Sequence, residues 1–170
     1  MVLKPQDVVI ILKLILEGGK KGRFSDLAQA LNMSASEIHS GIKRLAAARL
    51  VDTNEIPVKQ AVEEFLVHGV KYAFPAVRGG ITRGMPTGFA APPLNKQISQ
   101  NGEMSPVWPS PKGTERGYSL EPLYPSVPET AAKDKNLYEL LALVDAIRDG
   151  SARERQLAEN EIRLKIYGKN

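Results

Sequence analysis

The first strong pattern in the chain is an apolar run from 8 to 16, Val-Val-Ile-Ile-Leu-Lys-Leu-Ile-Leu, in which only Lys13 is polar. Pro5 suits the first turn of a helix, Asp7 suits the positive end of its dipole, and Gly18 with Gly19 supply a stop, so a helix is expected over roughly 5–17. Such a helix has almost no polar face. It needs cover on most sides, from the C-terminal segment or from a second subunit. Ser25 is a candidate cap for a short second helix whose inward face is Leu27, Ala28 and Leu31. Asn32 and Met33 then make a tight connection. Ser34, with Glu37 three residues later, forms the capping-box pattern that opens a third helix reaching about Ala48. Its apolar positions Ile38, Ile42 and Leu45 recur at helical spacing and face inward, leaving Ser36, His39, Ser40, Lys43 and Arg44 on the outer side.

Two readings fit the next stretch. Leu50 and Val51 can pair with 56–58 across 52–55 as a stunted wing, while Pro57 equally suits the first turn of a fourth helix carrying Val58, Val62, Phe65 and Leu66 inward. The helix is preferred. Residues 75–128 hold ten of the twelve prolines and seven glycines, which excludes long helices there. Phe89, Trp108, Tyr118, Leu123 and Tyr124 give this stretch more apolar anchorage than a free linker has, and it reads as an extended arm laid over a folded surface. Beyond Glu129, Leu137, Leu140, Leu141, Val144 and Ile147 trace an apolar helical stripe that ends at Gly150. Ser151 and Glu154 repeat the capping-box pattern and open a charged final helix. The expected architecture is mainly α: a (winged) helix-turn-helix domain over 1–73, a Pro/Gly-rich extended arm over 74–128 and a C-terminal helical hairpin over 129–170.

Charge refines this picture. The chain of 170 residues has a formal net charge of +4. Residues 1–50 carry eight Lys/Arg against four Asp/Glu, the next 25 are net negative by two, 76–126 net positive by two, and 127–170 balance at eight each. The excess of positive charge therefore belongs to the first fifty residues, the pattern expected of a polyanion-binding domain. With no cysteine, structural disulfides and thiolate zinc sites are excluded and a cytoplasmic location follows by default. The 8–16 run is too short to cross a bilayer. No Gly-x-Ser-x-Gly, His-Glu-x-x-His or paired-carboxylate pattern is present and the two histidines lie in separate segments, so neither an enzyme nor a cofactor is expected. The run Arg78-Gly-Gly-Ile-Thr-Arg-Gly-Met-Pro-Thr-Gly88 invites a phosphate-loop or RGG reading, but it lacks a Gly-Lys-Ser/Thr ending and a leading strand, and turn chemistry is preferred.

The third helix carries the chemistry. A helix in the major groove needs short or hydrogen-bonding side chains near its N-terminus to meet base edges, and cations beside it to meet phosphates. Ser34 leaves backbone N–H groups at a positive helix end, Ala35 and Ser36 permit close approach, and Ser36, His39, Ser40 and Lys43 follow at spacings of three and four with Arg44 beside them. Lys20, Lys21 and Arg23, in the loop before the second helix, are placed to reach the backbone across the groove.

The stretch 24–51, Phe-Ser-Asp-Leu-Ala-Gln-Ala-Leu-Asn-Met-Ser-Ala-Ser-Glu-Ile-His-Ser-Gly-Ile-Lys-Arg-Leu-Ala-Ala-Ala-Arg-Leu-Val, resembles the winged helix-turn-helix of bacterial transcriptional regulators of the MarR-like type. The resemblance covers roughly 4–60. It implies that Ser34 caps the recognition helix and that base and phosphate contacts fall on Ser34, Ala35, Ser36, His39, Ser40, Lys43 and Arg44. The chain departs from the family at Arg49, where glycine is usual because the helix end requires a left-handed residue, and after Asp52, where a longer basic hairpin is usual. The expected function is that of a sequence-specific double-stranded DNA-binding transcriptional regulator. It would act as a homodimer with recognition helices one turn apart, about 34 Å, and with helix one and the C-terminal hairpin as dimer surfaces. Two alternatives remain. One is an antitoxin-like or adaptor protein that binds a partner protein through the Pro-rich arm and C-terminal helices. The other is a subunit of a larger nucleic-acid assembly that uses the helix-turn-helix as a tether.

Overall fold

The computed structural model describes residues 1–18, 24–99 and 102–168. In chain order its elements are α1 (Pro5–Leu16), α2 (Phe24–Leu31), α3 (Ala35–Ala47), α4 (Lys59–Glu64), a π-helical turn Phe65–Gly69, α5 (Val70–Ala73), β1 (Arg78–Pro86), β2 (Pro106–Pro109), β3 (Glu115–Leu120), α6 (Val127–Lys133), α7 (Lys135–Asp149) and α8 (Ala152–Tyr167). The first three helices and the C-terminal hairpin lie close to their expected bounds. Residues 59–73 are one helical rod with a π-helical turn in its middle.

The mainly α architecture is corrected by the three strands: the protein is α/β, with a mixed sheet where an extended arm was expected. β1 is antiparallel to both β2 and β3, which are parallel to each other, so each strand pairs with the other two and the ribbon closes on itself. Glycine makes this closure possible. A Cβ on Gly84 would collide with the Trp108 carbonyl, and one on Gly117 with the Ser105 carbonyl. Pro86, Pro106 and Pro109 stand at strand ends, where the missing N–H does least harm to the ladder. The glycines and prolines that excluded long helices are thus the ones this tight ribbon needs.

In place of a full wing, Leu50 and Val51 pair with 56–58 in the stunted form, and the fourth helix begins after it, at Lys59. One isolated bridge joins Val51 to Pro57, and the Asp52 carboxylate accepts hydrogen bonds from the Asn54 and Ile56 N–H groups at 2.8 and 3.0 Å. Asp52 and Glu55 make this a short acidic turn, unlike a basic hairpin.

The core answers what covers α1. Its residues 8–12 are at most 1% exposed, and α1 packs against α3 and α7 within the same chain, with Lys13 bound to Asp134 at 2.7 Å. Helix one is therefore occupied and does not offer a dimer surface. α7, buried on most sides, also packs against α5, α6 and α8. One hydrophobic cluster runs from Val8 through Leu94 and Trp108 to Ile166, so the three expected segments share a core.

A buried polar knot fastens the ribbon to α7. Asp145, 2% exposed, accepts hydrogen bonds from the Thr87 hydroxyl and the Trp108 indole N–H, both at 2.7 Å, and pairs with Arg148 at 2.8 Å. Arg148 in turn donates to the Phe74 carbonyl at 2.7 Å. Burial pushes the Asp145 carboxyl above its usual range, and these donors oppose that shift.

Candidate nucleic-acid interface

Helices α2 and α3 end in the same way. Asn32 has φ +51, the Met33 N–H reaches the Ala28 carbonyl and the Asn32 N–H reaches that of Gln29; Arg49 has φ +63, the Leu50 N–H reaches Leu45 and the Arg49 N–H reaches Ala46. Both are Schellman ends. Asparagine tolerates the left-handed conformation, whereas arginine there is strained by about 1–2 kcal/mol relative to glycine. The structure therefore requires at Arg49 the backbone geometry that usually selects glycine. Leu45 and Leu50 supply the accompanying apolar contact in the core.

The start of α3 is a capping box. Ser34 Oγ accepts from the Glu37 N–H at 3.0 Å, and the Ser34 N–H donates to Glu37 Oε2 at 2.8 Å. The Tyr124 hydroxyl donates to the other Glu37 oxygen at 2.7 Å. Tyr124, together with the Ser34 backbone N–H, lowers the Glu37 pKa from its usual value. A carboxylate thus already sits at the positive end of the helix, where a phosphate contact was expected of Ser34. The Ser126 hydroxyl donates to the Leu31 carbonyl at 2.8 Å, so the segment after β3 braces both α2 and α3. Nothing in the sequence pattern signals this brace.

Along α3, Ser34, Ala35, Ser36, His39 and Lys43 are exposed and Ser40 is half-buried. The inward residues Ile38, Ile42 and Leu45 are at most 4% exposed. The His39 ring lies 5.8 Å from that of Phe24 at the start of α2. Lys43 makes no ion pair among the described residues. Arg44 is placed differently. Its guanidinium is clasped by Asp7, Nε to Oδ2 at 2.7 Å and Nη2 to Oδ1 at 2.9 Å, with 11% of the side chain exposed. The hydrogen bonds that Arg44 donates to Asp7 raise the Arg44 pKa and keep it charged.

The Asp7 carboxylate also accepts from the Lys4 N–H at 2.8 Å, so one buried group caps α1 and anchors α3. Gly41 lets the two helices approach, since a Cβ there would meet Ile10 and Asp7. Arg44 thus holds α3 in place, and the accessible face is Ser36, His39, Ser40 and Lys43, extended at its far end by the exposed Arg49, which makes no ion pair among the described residues. Lys20, Lys21 and Arg23 lie outside the described residues.

Elsewhere, a cleft of about 850 Å³ opens between the ribbon and α6, lined by Pro86, Pro109, Pro111, Lys112, Pro128 and Tyr138 among others. Among the described residues no cluster of His, Asp and Glu is arranged to hold a metal, and no helix is long and apolar enough to cross a membrane. Compared with family models, with curated proteins and with solved structures, the chain matches none of them.

Proposed function

We propose that the protein is a cytoplasmic regulator that binds double-stranded DNA in a sequence-dependent way, with the outer face of α3 in the major groove. The observation that carries this reading is the asymmetry of α3. One side is sealed into the core and clamped through Arg44, while the other presents small and hydrogen-bonding side chains, Ala35, Ser36, His39 and Ser40, beside Lys43, which is exposed and makes no ion pair among the described residues. Short side chains on a rigidly held helix allow its backbone to approach base edges, and a flanking lysine suits a phosphate. The likeness of 24–51 to bacterial regulators of the MarR-like type supports the same assignment. As a homodimer, the protein would place two such helices in successive grooves, and with α1 buried the C-terminal hairpin supplies the pairing surface, where Leu164 and Tyr167 are exposed on α8.

The test is titration of the DNA upstream of the protein's own gene, with scrambled duplexes as controls. Ser36→Ala and Ser40→Ala are expected to change sequence preference, and Lys43→Ala to weaken all duplexes alike. Equal affinity of the native protein for every duplex would remove the sequence-dependent part of the proposal.

A second reading is favoured by the proline-lined cleft: an adaptor or antitoxin-like protein whose ribbon and C-terminal helices hold a partner protein. Co-purification with a neighbouring gene product, lost when Lys112 and Tyr138 are substituted together, would support it.

A further inference from the structure

Across the antiparallel pair β1–β3, Arg83 stands directly opposite Arg116. Residues so paired share a face of the ribbon with Cβ atoms about 5 Å apart, and like charges in that position repel. Both arginines are exposed, and neither has an ion-pair partner among the described residues. The neighbouring acid does not relieve them. Glu115 is paired with Gly84, one step along, and therefore alternates to the other side of the ribbon, where its charge is felt at Tyr138.

On the arginine side the next pair is Ile81 with Tyr118, and Arg78 lies over the Tyr118 ring at 4.7 Å while bound to Asp149 at 2.6 Å. Lys112 adds an exposed cation from the loop whose Ser110 N–H binds the Arg83 carbonyl. Two like charges set against each other, with no ion-pair partner among the described residues, would be relieved by a bound anion.

We propose that this outer face of the β1–β3 ribbon is a second DNA-contacting surface, which binds the phosphate backbone without reading sequence through Arg83 and Arg116. Protein–protein interfaces have apolar, charge-depleted centres, whereas protein–DNA interfaces are polar and strongly positive. This face has arginines at its centre and Ile81 as its exposed large apolar side chain, which matches the second description. The guanidinium fork also suits a phosphate. The glycine-rich run from Arg78 thereby acquires a role: its backbone forms the strand that holds Arg83 against Arg116. The inference does not depend on α3.

The experiment is duplex binding over a salt series by the native protein, Arg83→Gln/Arg116→Gln and Lys43→Ala. The double variant is expected to flatten the dependence of log K on log salt by roughly two, on specific and scrambled duplexes alike. An unchanged slope overturns the proposal, as does a native protein that binds no duplex at low salt. If Lys43→Ala leaves binding intact while the double variant loses it, the α3 reading fails and this one stands; the converse removes this one. Poly-glutamate serves as a probe for an acidic protein partner. Binding of it as tight as that of duplex, lost in the double variant, would overturn the assignment to DNA.

Stability provides a readout independent of DNA. Arg83→Gln is expected to raise the unfolding midpoint at low salt and to have no effect at high salt. A fall of several degrees would mean that the arginines hold the fold, and would also overturn the proposal.

Discussion

Two buried carboxylates organise two halves of this molecule in different ways. Asp7 closes a unit made of neighbouring elements: it caps its own helix and clasps Arg44, while α2 and α3 end in Schellman turns and α3 opens on a capping box, all built from adjacent residues. Asp145 joins a helix to strands and loops, taking hydrogen bonds from Thr87 and Trp108 and pairing with an arginine that binds the Phe74 carbonyl, 74 residues away. The strands it secures have no independent existence, since each leans on the other two and the glycines make room for the contact. The helical unit is built from local rules, and the ribbon from closure.

Substitutions sharpen this contrast, the largest effect first. Asp145→Ala leaves Arg148 buried and uncompensated, and about 3–5 kcal/mol of stability should be lost in urea unfolding. Trp108 is the single tryptophan, so its emission should shift in the folded variant and report on this corner directly. Asp7→Ala should cost about 3 kcal/mol, at the lower end of the same range because Arg44 lies nearer water, and should leave the Trp108 emission of the folded protein unchanged. If Asp7→Ala disturbs Trp108 as much as Asp145→Ala does, the two halves are not separately organised. Gly117→Ala drives a methyl group into the Ser105 carbonyl and should destabilise by about 1–3 kcal/mol. Gly80→Ala, which meets nothing within 4 Å, should stay within about 0.5 kcal/mol and serves as its control.

Arg49→Gly runs in the opposite direction. It relieves a left-handed residue, φ +63, and should stabilise by about 0.5–1 kcal/mol after the added freedom of glycine in the unfolded chain is subtracted. A neutral or destabilising result would show that Arg49 has a compensating contact in solution. Lys43→Ala should change stability least, by less than about 0.5 kcal/mol, because the side chain is exposed and makes no ion pair among the described residues.

The same contrast explains what could be read from the residues alone. Ser34 with Glu37, Ser151 with Glu154, and the spacing of Ile38, Ile42 and Leu45 are local signals, and the helices follow them. The π-helical turn at Phe65–Gly69 carries the fourth helix on to Ala73, beyond Leu66, the last inward residue expected of it. The ribbon was hidden because proline and glycine ordinarily weaken strands; here prolines sit at strand ends and glycines at points of backbone contact, facts that depend on partners well separated along the chain.

At the α3 face, Ser36, His39, Ser40 and Lys43 were legible as the outer surface. Arg44 was not separable from them, since the residue that claims it, Asp7, lies on another helix 37 positions earlier. Glu37 carried a second hidden role for the same reason, its partner Tyr124 lying 87 residues away.

The central claim, that the exposed face of α3 contacts DNA, is tested most directly by the salt dependence of duplex binding for the native protein and Lys43→Ala. The account predicts that log K falls linearly with log salt for the native protein, and that Lys43→Ala lowers the slope by about one while the fold is retained. A Lys43→Ala protein that binds duplex with unchanged affinity and slope would contradict it.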